Sequence, residues 1–539
     1  MGPLPAIWRF FGCDEPNYAT MKDGQSLLAE LGALRPNSVY FRTHNLLTTG
    51  DATPALKWGS TNAYTEDMSG RPVYDWKTTD SIFDSYRERG VRPYVEIGFM
   101  PEALSSRPRP YRHEWRPGLP YERIFTGWRM PPRSYARWGE LVHQWARHCV
   151  QRYGAAEVRQ WYWQTWNEAN MCPDGYWGGT PEEFFALHDY AMDAVRRALP
   201  DARVGGPETA GHGGDFSRSF FEHCLHGTNA ATGKKGAPLD FISFHAKGAP
   251  VFAEEHVSLD LAEQLRTVDR GFELVSSFPE LRGMPLIIGE CDPDGCAACR
   301  GPQLGYRNRT MYPSYTAASF TRLLDVARQR SVRLEGALTW AFEFEDQPLF
   351  AGYRVLTTGG IALPVLSVFR MFAMMGGERL STESSGEVPL RVILESALGA
   401  ATDVSALASV DAERLSILVW HYAADDVPGP DADVELRVSG LPQRLSTGRV
   451  NHYRIDADHS NAFSEWKRMG APELPNEEQY DQLRAAGALE ELAGAPFAIR
   501  REGGAGILRF SLPRHAVSLI TLAASASDDP VARHRRIPL

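Results

Sequence analysis

The sequence predicts an α/β fold: a (β/α)8 TIM barrel followed by an antiparallel β-sandwich. Three observations indicate this architecture. Between about residues 7 and 375, short apolar runs alternate with amphipathic helical patterns, as in a closed parallel barrel. No glycine-rich phosphate loop follows the first apolar run, which disfavours the alternative of a doubly wound open sheet. After Gly376 the pattern changes to alternating or β-branched runs separated by turn residues, which is typical of a sandwich.

Eight strands and six helices are predicted in the first part of the chain. Each strand is a short apolar run bounded by polar or turn residues, as in buried parallel sheets. Thr180 and Pro181, followed by two glutamates, form a typical helix start, because a capping hydroxyl precedes a first-turn proline and acids near the positive end of the dipole. The strands cover 8–13, 38–44, 92–98, 159–167, 203–207, 241–245, 286–290 and 336–342, and the helices 23–34, 78–89, 134–152, 181–199, 259–278 and 312–330.

The second part of the chain carries strand patterns of a different kind. We assign residues 1–375 to the barrel, 376–524 to an accessory sandwich with an irregular, partly helical insertion around 451–492, and 525–539 to a polar tail. We expect the sandwich to be structural, since it shows no cluster of exposed aromatic residues. Its predicted strands cover 388–394, 404–410, 415–422, 434–439, 449–455, 507–512 and 515–523.

Composition limits the classes of function. The 539 residues are too many for one ordinary core, and 43% hydrophobic and 23% charged residues are typical of a globular protein. A net charge of −10 argues against a nucleic-acid partner. No run approaches about 18 apolar residues, so we expect no membrane span. The first residues lack a basic start and an apolar run, so we expect no signal peptide. The seven cysteines are scattered along the chain, so we expect reduced thiols and a cytoplasmic location. A homo-oligomer is left open.

Three of the seven cysteines form a short cluster. Cys291, Cys296 and Cys299 have the spacing C-x4-C-x2-C, which equals part of a ferredoxin pattern. A metal or iron–sulfur site is therefore one hypothesis, but a fourth ligand is missing nearby. A disulfide or free thiols are the favoured interpretation. We expect no metal and no cofactor.

The segment from Trp161 to Asn170 is the most informative run of the chain. It reads as an aromatic strand that ends on Asn167 and Glu168 and then breaks into a loop. A carboxylate at such a strand end lies at the mouth of a barrel, where aromatic neighbours can raise its pKa. The run therefore favours a general acid in a sugar site over a structural glutamate in a cap or an ion pair.

Polar or aromatic residues stand at the carboxyl ends of the predicted strands, where a barrel places its reacting groups. Glu290 closes an apolar strand in the same way as Glu168 does. Two carboxylates that face each other across a barrel mouth are the apparatus of glycoside hydrolysis. The residues at the strand ends are Arg42, His44, Asn167, Glu168, His245, Glu290 and Trp340.

These motifs resemble the retaining (β/α)8 glycosidases whose two catalytic residues are glutamates. Within that clan the chain is most similar to glycoside hydrolase family 39, which contains β-xylosidases and α-L-iduronidases. The resemblance rests on Val39-Tyr-Phe-Arg-Thr-His-Asn-Leu-Leu47, Trp-Asn-Glu-Ala-Asn170, Phe241-Ile-Ser-Phe-His245 and Leu338-Thr-Trp340. It covers nearly the whole chain, because the barrel-plus-sandwich layout also agrees.

The resemblance implies a role for each site residue. Glu168 becomes the general acid/base and Glu290 the nucleophile, and Asn167 binds the 2-hydroxyl of the sugar. His44 and His245 become hydroxyl partners, Trp340 the floor of the site, and Arg42 the cation beneath Glu290. Without these motifs, His44 and His245 could as well be histidines of the hydrophobic core. Trp340 could simply pack in the core, and Arg42 could belong to an ion pair inside the barrel.

Two segments depart from the family pattern. The cysteine-rich loop after Glu290 is unusual, and Lys247 stands where an aromatic residue is expected. Lys247 could approach a substrate carboxylate and favour a uronic acid, but an exposed lysine or a hydroxyl contact is preferred, which keeps xylose first. Glu343 or Glu345 is expected to bind a sugar hydroxyl; the spacing does not show which of the two, and Glu343 is taken as the candidate site residue.

The predicted function is a retaining exo-β-xylosidase that releases xylose from xylo-oligosaccharides or aryl xylosides. The long loop 101–132 is expected to wall the site into a pocket, with Trp115 and Trp128 stacking on the leaving sugar or anchoring the loop. The alternatives are α-L-arabinosidase or α-L-iduronidase activity on the same scaffold, and a sugar-binding protein without catalysis.

Overall fold

The protein is described by a computed structural model that covers residues 2–253, 256–440, 445, 449–492, 500–502 and 505–523. Eight parallel strands close into a barrel in which each strand pairs with its neighbours in the chain, and β1 also pairs with β8. This confirms the predicted barrel and all eight of its strands. They are β1 (Phe10–Cys13), β2 (Val39–Thr43), β3 (Val91–Ile97), β4 (Tyr162–Thr165), β5 (Arg203–Thr209), β6 (Phe241–His245), β7 (Pro285–Glu290) and β8 (Arg333–Thr339).

The helices surround the barrel and confirm the six predicted ones. Thr180 caps the start of α5 reciprocally. Its hydroxyl accepts from the Glu183 amide at 3.2 Å, and the Glu183 carboxylate accepts from the Thr180 amide at 2.8 Å. The pattern does not predict α6, because Gly213 and Gly214 at its start normally indicate a turn. The helices are α1 (Lys22–Leu34), α2 (Lys77–Glu88), α3 (Tyr135–Tyr153), α4 (Ala155–Val158), α5 (Pro181–Ala198), α6 (Gly214–His226), α7 (Leu261–Ser276), α8 (Met311–Arg330) and α9 (Pro364–Ala373).

Alternation along β4 explains its aromatic sequence. Trp161 and Trp163 point outward, where Trp163 contacts Trp145 of α3 with ring centroids 5.8 Å apart. Tyr162 points into the barrel and packs 4.9 Å from Tyr40 and 5.1 Å from Phe241. These inward rings fill the amino-terminal half of the barrel. The polar residues at the other end of the strands are therefore accessible only from the carboxyl-terminal face.

The C-terminal region is an antiparallel sandwich of two sheets. The larger sheet has the order β9-β10-β11-β17-β13-β14 and the smaller one β12-β16-β15. On β11, Ile417 and Val419 face the core between the sheets, whereas Leu418 and Trp420 belong to the core shared with the barrel. The strands are β9 (Glu378–Arg379), β10 (Thr402–Val410), β11 (Arg414–Ala423), β12 (Ala432–Val438), β13 (Arg449–Ile455), β14 (Glu490–Glu491), β15 (Arg500–Glu502), β16 (Ala505–Leu512) and β17 (Val517–Ala523).

One predicted strand is wrong. Residues 388–394 largely form a helix, α10 (Leu390–Ser396), which begins after Pro389. Its two buried residues, Leu390 and Ile393, have helical spacing, and the Leu394 carbonyl accepts from Arg266 Nε of α7 at 2.7 Å. Burial against α7 thus outweighed the β-like composition of this short run.

The insertion around 451–492 contains two helices, α11 (Ala462–Arg468) and α12 (Glu477–Gly487), as its polar helical pattern predicts. The predicted tail, 525–539, lies outside the described residues. No helix within the described ranges combines the length and apolarity that crossing a bilayer requires.

Candidate active site

Glu168 and Glu290 lie together at the carboxyl-terminal face of the barrel. Glu290 is the last residue of β7, and Glu168 follows β4 by three residues. One oxygen of each carboxylate and a ring nitrogen of His245 all lie within 4.8 Å of one another. Both glutamates are buried, with 8% and 3% of their surface exposed. Two acids from distant parts of the sequence therefore converge on one small volume.

A backbone turn after β4 aims Glu168 at this point. Trp166 and Glu168 both have left-handed backbone angles, with φ of 69° and 46°. The Glu168 amide donates to the Glu208 carbonyl at 2.8 Å, and the Trp166 indole donates to the Tyr176 carbonyl at 2.9 Å. These bonds from β5 and from the loop after β4 hold a conformation that non-glycine residues rarely adopt.

Arg42 is the cation beneath the two acids. It is fully buried, and its Nη1 lies 3.3 Å from Glu290 Oε1. Its Nη2 donates to Asn167 Oδ1 at 2.9 Å and lies 2.7 Å from Glu96 Oε2. Arg42 thereby orients both the amide of Asn167 and the carboxylate of Glu290.

His245 links the acids from β6. Its Nδ1 lies 2.8 Å from Glu168 Oε1 and 3.7 Å from Glu290 Oε1, while its Nε2 lies 3.1 Å from Glu208 Oε2. Burial lowers the pKa of His245, but Glu290 and the bonds to Glu168 and Glu208 outweigh it and raise the pKa above its usual value. The Tyr94 hydroxyl bonds to Glu208 in turn.

His44 and Trp340 form the opposite side of the site. Their rings lie 4.5 Å apart, and the Trp340 backbone amide donates to Asp292 at 3.1 Å. His44 Nδ1 lies 2.7 Å from Glu96 Oε2. Burial and the nearby Arg42 guanidinium lower the pKa of His44 well below its usual range. The ring is therefore neutral at neutral pH and suited to a hydroxyl partner.

Lys247 lies between the two glutamates rather than on the surface of a loop. Its Nζ is 2.5 Å from Glu290 Oε2 and 3.8 Å from Glu168 Oε1, and 19% of its side chain is exposed. Burial would raise the pKa of both glutamates, but Lys247 and His245 outweigh it and lower both values, that of Glu290 most strongly.

This arrangement corrects the expectation that an aromatic setting raises the pKa of Glu168. The Lys247 ammonium and His245 outweigh the effect of burial on the pKa of Glu168, so its carboxyl group is ionised at neutral pH. The contact with Lys247 does not follow from the sequence, because Lys247 reads equally well as an exposed loop residue.

Glu343, alone among the predicted site residues, lies apart from this cluster. Its Oε1 accepts from the Gly359 amide at 3.2 Å, and within the described part of the chain its buried Oε2 has no hydrogen-bond partner. Burial raises the pKa of Glu343 to about 8. Glu345 accepts from the amides of Asp23 and Gly24 at the start of α1. The loop after β8 thus turns both side chains away from the glutamate pair.

Several site residues escape the sequence pattern. Glu96 lies within β3, where a charged residue in an apolar strand is the only signal. Glu208 lies at the end of β5, one residue beyond the predicted end of that strand. Asp14 and Lys57 lie in loops, and Lys57 Nζ is 2.6 Å from Asp14 Oδ2. No spacing in the sequence pairs residues from two different loops.

The cysteine cluster does not assemble as three ligands. Cys296 and Cys299 form a disulfide, and Cys291 is a buried thiol in hydrogen-bond contact with Gln264. This agrees with the preferred interpretation of the spacing. The disulfide does not fit the broader expectation of reduced cysteines.

The loop over residues 101–132 places a tyrosine beside Lys57, whose Nζ lies 5.4 Å from the centre of the Tyr121 ring, and buries its two tryptophans. Trp115 and Trp128 are buried, and their indoles donate to the Leu119 and Ile124 carbonyls of the same loop. They anchor the loop. The hydroxyl of Tyr121 lies 2.6 Å from that of Tyr176, which comes from the loop after β4.

Comparisons with known proteins agree with this geometry. The chain is 27% identical to a β-xylosidase of Caldicellulosiruptor saccharolyticus over 421 residues, 76% of each chain. It is also 27% identical to α-L-iduronidase of Homo sapiens over 583 aligned residues, which cover 100% of this chain and 79% of that relative. The crystal structure of a monomeric β-xylosidase from Caulobacter crescentus CB15 shares the fold, with a TM-score of 0.74, 22% identity and 98% of each chain covered. The profile of glycosyl hydrolases family 39 matches residues 2–504, so the chain belongs to that family and is a glycoside hydrolase.

Proposed function

We propose that the protein is a retaining exo-glycosidase in which Glu290 is the nucleophile and Glu168 the acid/base. The observation that carries this proposal is the approach of the two carboxylates, whose nearest oxygens lie within 4.8 Å. Retaining pairs are separated by about 5–5.5 Å, whereas inverting pairs need about 6.5–9.5 Å to admit a water molecule. Glu290 therefore has direct access to an anomeric carbon held beside Glu168.

The electrostatics suit the role of Glu290. Lys247, His245 and Arg42 hold its carboxylate ionised, and an ionised carboxylate is the form that attacks. Attack forms a glycosyl ester and removes the negative charge from Glu290. Glu168 first donates a proton to the leaving oxygen and then takes one from the water that hydrolyses the ester.

The acid step requires a change at Lys247. With its ammonium 3.8 Å away, Glu168 holds a lowered pKa and a poor supply of protons for a leaving group. A substrate that draws the ammonium away raises the pKa of Glu168. A substrate carboxylate is the group best suited to do so, since it forms a charge-assisted contact with the ammonium.

Lys247 therefore bears on the identity of the sugar. A β-D-xyloside and an α-L-iduronide share their ring and their 2-, 3- and 4-hydroxyls, and differ by a carboxylate on C5. The position of Lys247 makes hydrolysis of a terminal α-L-iduronide the candidate that the geometry supports best. The similarity to β-xylosidases keeps β-D-xylosidase action, on terminal units of xylo-oligosaccharides, as the second candidate.

A single panel of substrates tests both candidates. Aryl β-xyloside, α-L-arabinoside, β-glucoside and α-L-iduronide are compared by kcat/KM under one set of conditions, and the anomer first released is assigned by NMR. We expect retention of configuration and the fastest hydrolysis with the iduronide. Preference for the xyloside would select the second candidate. The absence of hydrolysis throughout would favour a sugar-binding protein, and an inverted product would refute the assigned mechanism.

A further inference from the structure

A second charged pair borders the site beside β1, and the proposed mechanism uses neither member. Lys57 Nζ lies 2.6 Å from Asp14 Oδ2, and Asp14 Oδ1 lies 3.4 Å from His44 Nε2. Their side chains are only 4–5% exposed. His44 in turn lies 3.9 Å from Glu290 Oε1, so the pair lies next to the reaction centre on the far side of His44.

Lys57 has more hydrogen-bonding capacity than its protein neighbours use. Burial lowers the pKa of Lys57, but Asp14 outweighs it and raises the pKa, so the side chain is an ammonium with three donors. In the described part of the chain, its Nζ hydrogen bonds only to Asp14 and otherwise lies 5.4 Å from the centre of the Tyr121 ring. Buried charges normally form their full set of hydrogen bonds. Two donors are thus available to an oxygen ligand.

Backbone contacts already hold the surrounding loops together. The Lys57 amide donates to the Glu15 carboxylate, and the Lys57 carbonyl lies 2.9 Å from His113 Nε2. Asn45 donates to the Asp14 carbonyl at 2.9 Å. Because these bonds join the loops after β1, β2 and β3 without the Lys57 ammonium, loop anchoring does not account for a buried charged side chain at this position.

His44 Nε2 lies 3.4 Å from Asp14 Oδ1 and 3.9 Å from Glu290 Oε1, so the charged pair lies within the length of one sugar ring of the Glu290 carboxylate. Asn167, held by Arg42, lies on the side of Glu168, where the 2-hydroxyl belongs. The 3- and 4-hydroxyls lie on the edge of the ring opposite the anomeric carbon. Asp14 and Lys57, beyond His44, offer one acceptor and two donors to that edge.

We propose, on the basis of the function proposed above, that Asp14 and Lys57 bind the 3- and 4-hydroxyls of the terminal sugar and set its specificity. Asp14 accepts from one hydroxyl, and Lys57 donates to the oxygen of the other. Both hydroxyls are common to the two candidate sugars. A sugar substituted at its 4-oxygen has no 4-hydroxyl to donate, and its substituent would press against the buried charges of Asp14 and Lys57. The pair therefore also restricts cleavage to unsubstituted terminal units.

The test compares substrates that lack one hydroxyl. The best aryl glycoside of the panel and its 3-deoxy and 4-deoxy counterparts are assayed with wild type, Asp14→Asn and Lys57→Gln. We expect wild type to prefer the hydroxylated substrate by about 10- to 100-fold in kcat/KM, since hydrogen bonds to charged groups are worth about 1.5–3 kcal/mol. Each variant should reduce that preference to below about threefold for at least one position. Equal slowing of all substrates would overturn the proposal, because a structural role does not distinguish them.

Two further measurements separate the outcomes. Asp189→Asn is the matched control, since Asp189 is a buried acid 3.0 Å from His223 and outside the site, and it should leave the selectivity unchanged. Binding of the aryl 1-thio-β-xyloside and its deoxy analogues, measured by calorimetry, reports the same contacts without hydrolysis. Selective binding by an inactive wild type would sink the proposed function and keep this inference. Unselective binding by an active enzyme would refute this inference and leave the proposed function standing.

Discussion

Replacing Lys247 with methionine tests the electrostatic basis of the site most directly. The change removes the ammonium that lies 2.5 Å from Glu290 and 3.8 Å from Glu168, and it retains an unbranched apolar stem. We expect opposite consequences for the two candidate sugars. The iduronide loses its carboxylate partner, whereas the xyloside meets an acid whose pKa is no longer lowered by Lys247.

The expected magnitude follows from the distances. Unit charges about 4 Å apart interact by about 4 kcal/mol at an effective dielectric constant of about 20, and partial exposure of Lys247 reduces this. A charged hydrogen bond to a substrate carboxylate is worth about 1.5–3 kcal/mol. Lys247→Met should therefore lower kcat/KM for the iduronide about 10- to 150-fold. It should raise the value for the xyloside near neutral pH, because a larger fraction of Glu168 is protonated once Lys247 no longer lowers its pKa.

The pH profile provides an independent signature. The basic limb of kcat/KM reports the free enzyme's acid, which we assign to Glu168. Since Lys247 lowers the pKa of Glu168, the variant should carry this limb to higher pH, while Lys247→Arg should keep it near the wild-type position. The exposed Lys234→Met serves as a surface control. Equal losses on both sugars with an unmoved basic limb would refute the reasoning.

The remaining predictions concern Glu168, Glu290, Glu343 and the disulfide. Glu168→Ala should slow substrates with poor leaving groups far more than activated aryl glycosides, and equal loss on both would contradict its acid role. Glu290→Ala should abolish hydrolysis, and azide should restore turnover with an inverted product. Glu343 is a buried carboxyl outside the cluster, so Glu343→Gln should keep most of the activity on every substrate. A loss of activity as large as that of Glu290→Ala would show that Glu343 belongs to the active site. Replacing Cys296 and Cys299 by serine should lower the free energy of unfolding by about 2 kcal/mol, as expected for so short a loop. Denaturant melts check this, and an unchanged midpoint would show that the bond is not stabilising.

Much of the fold could be predicted because local patterns agree with the final environment. Apart from Ser243 and the polar residue that ends each run, residues 241–245 and 286–290 are apolar, since a parallel barrel strand is covered on both faces. The predicted strand at 388–394 is wrong because there the local pattern and the final environment disagree. Their β-branched and apolar residues look like a strand, but two buried positions with helical spacing pack against α7.

The site was predictable where it follows strand ends and not where it depends on loops. Glu168, Glu290, Arg42 and His245 each stand at the end of a barrel strand, so topology alone brings them to one face. Lys247 lies only two residues beyond His245, yet its direction depends on how the loop folds back.

The sequence by itself determined the barrel, the sandwich and the presence of two acids at one mouth, because periodicity and strand ends are local properties that the fold repeats. Only the tertiary structure decided the charge environment of those acids. It places one lysine between them, a second lysine beside Asp14, and Glu343 outside their cluster. Electrostatic interactions depend on distances between residues that are remote in the chain, and those distances exist only once the loops are folded.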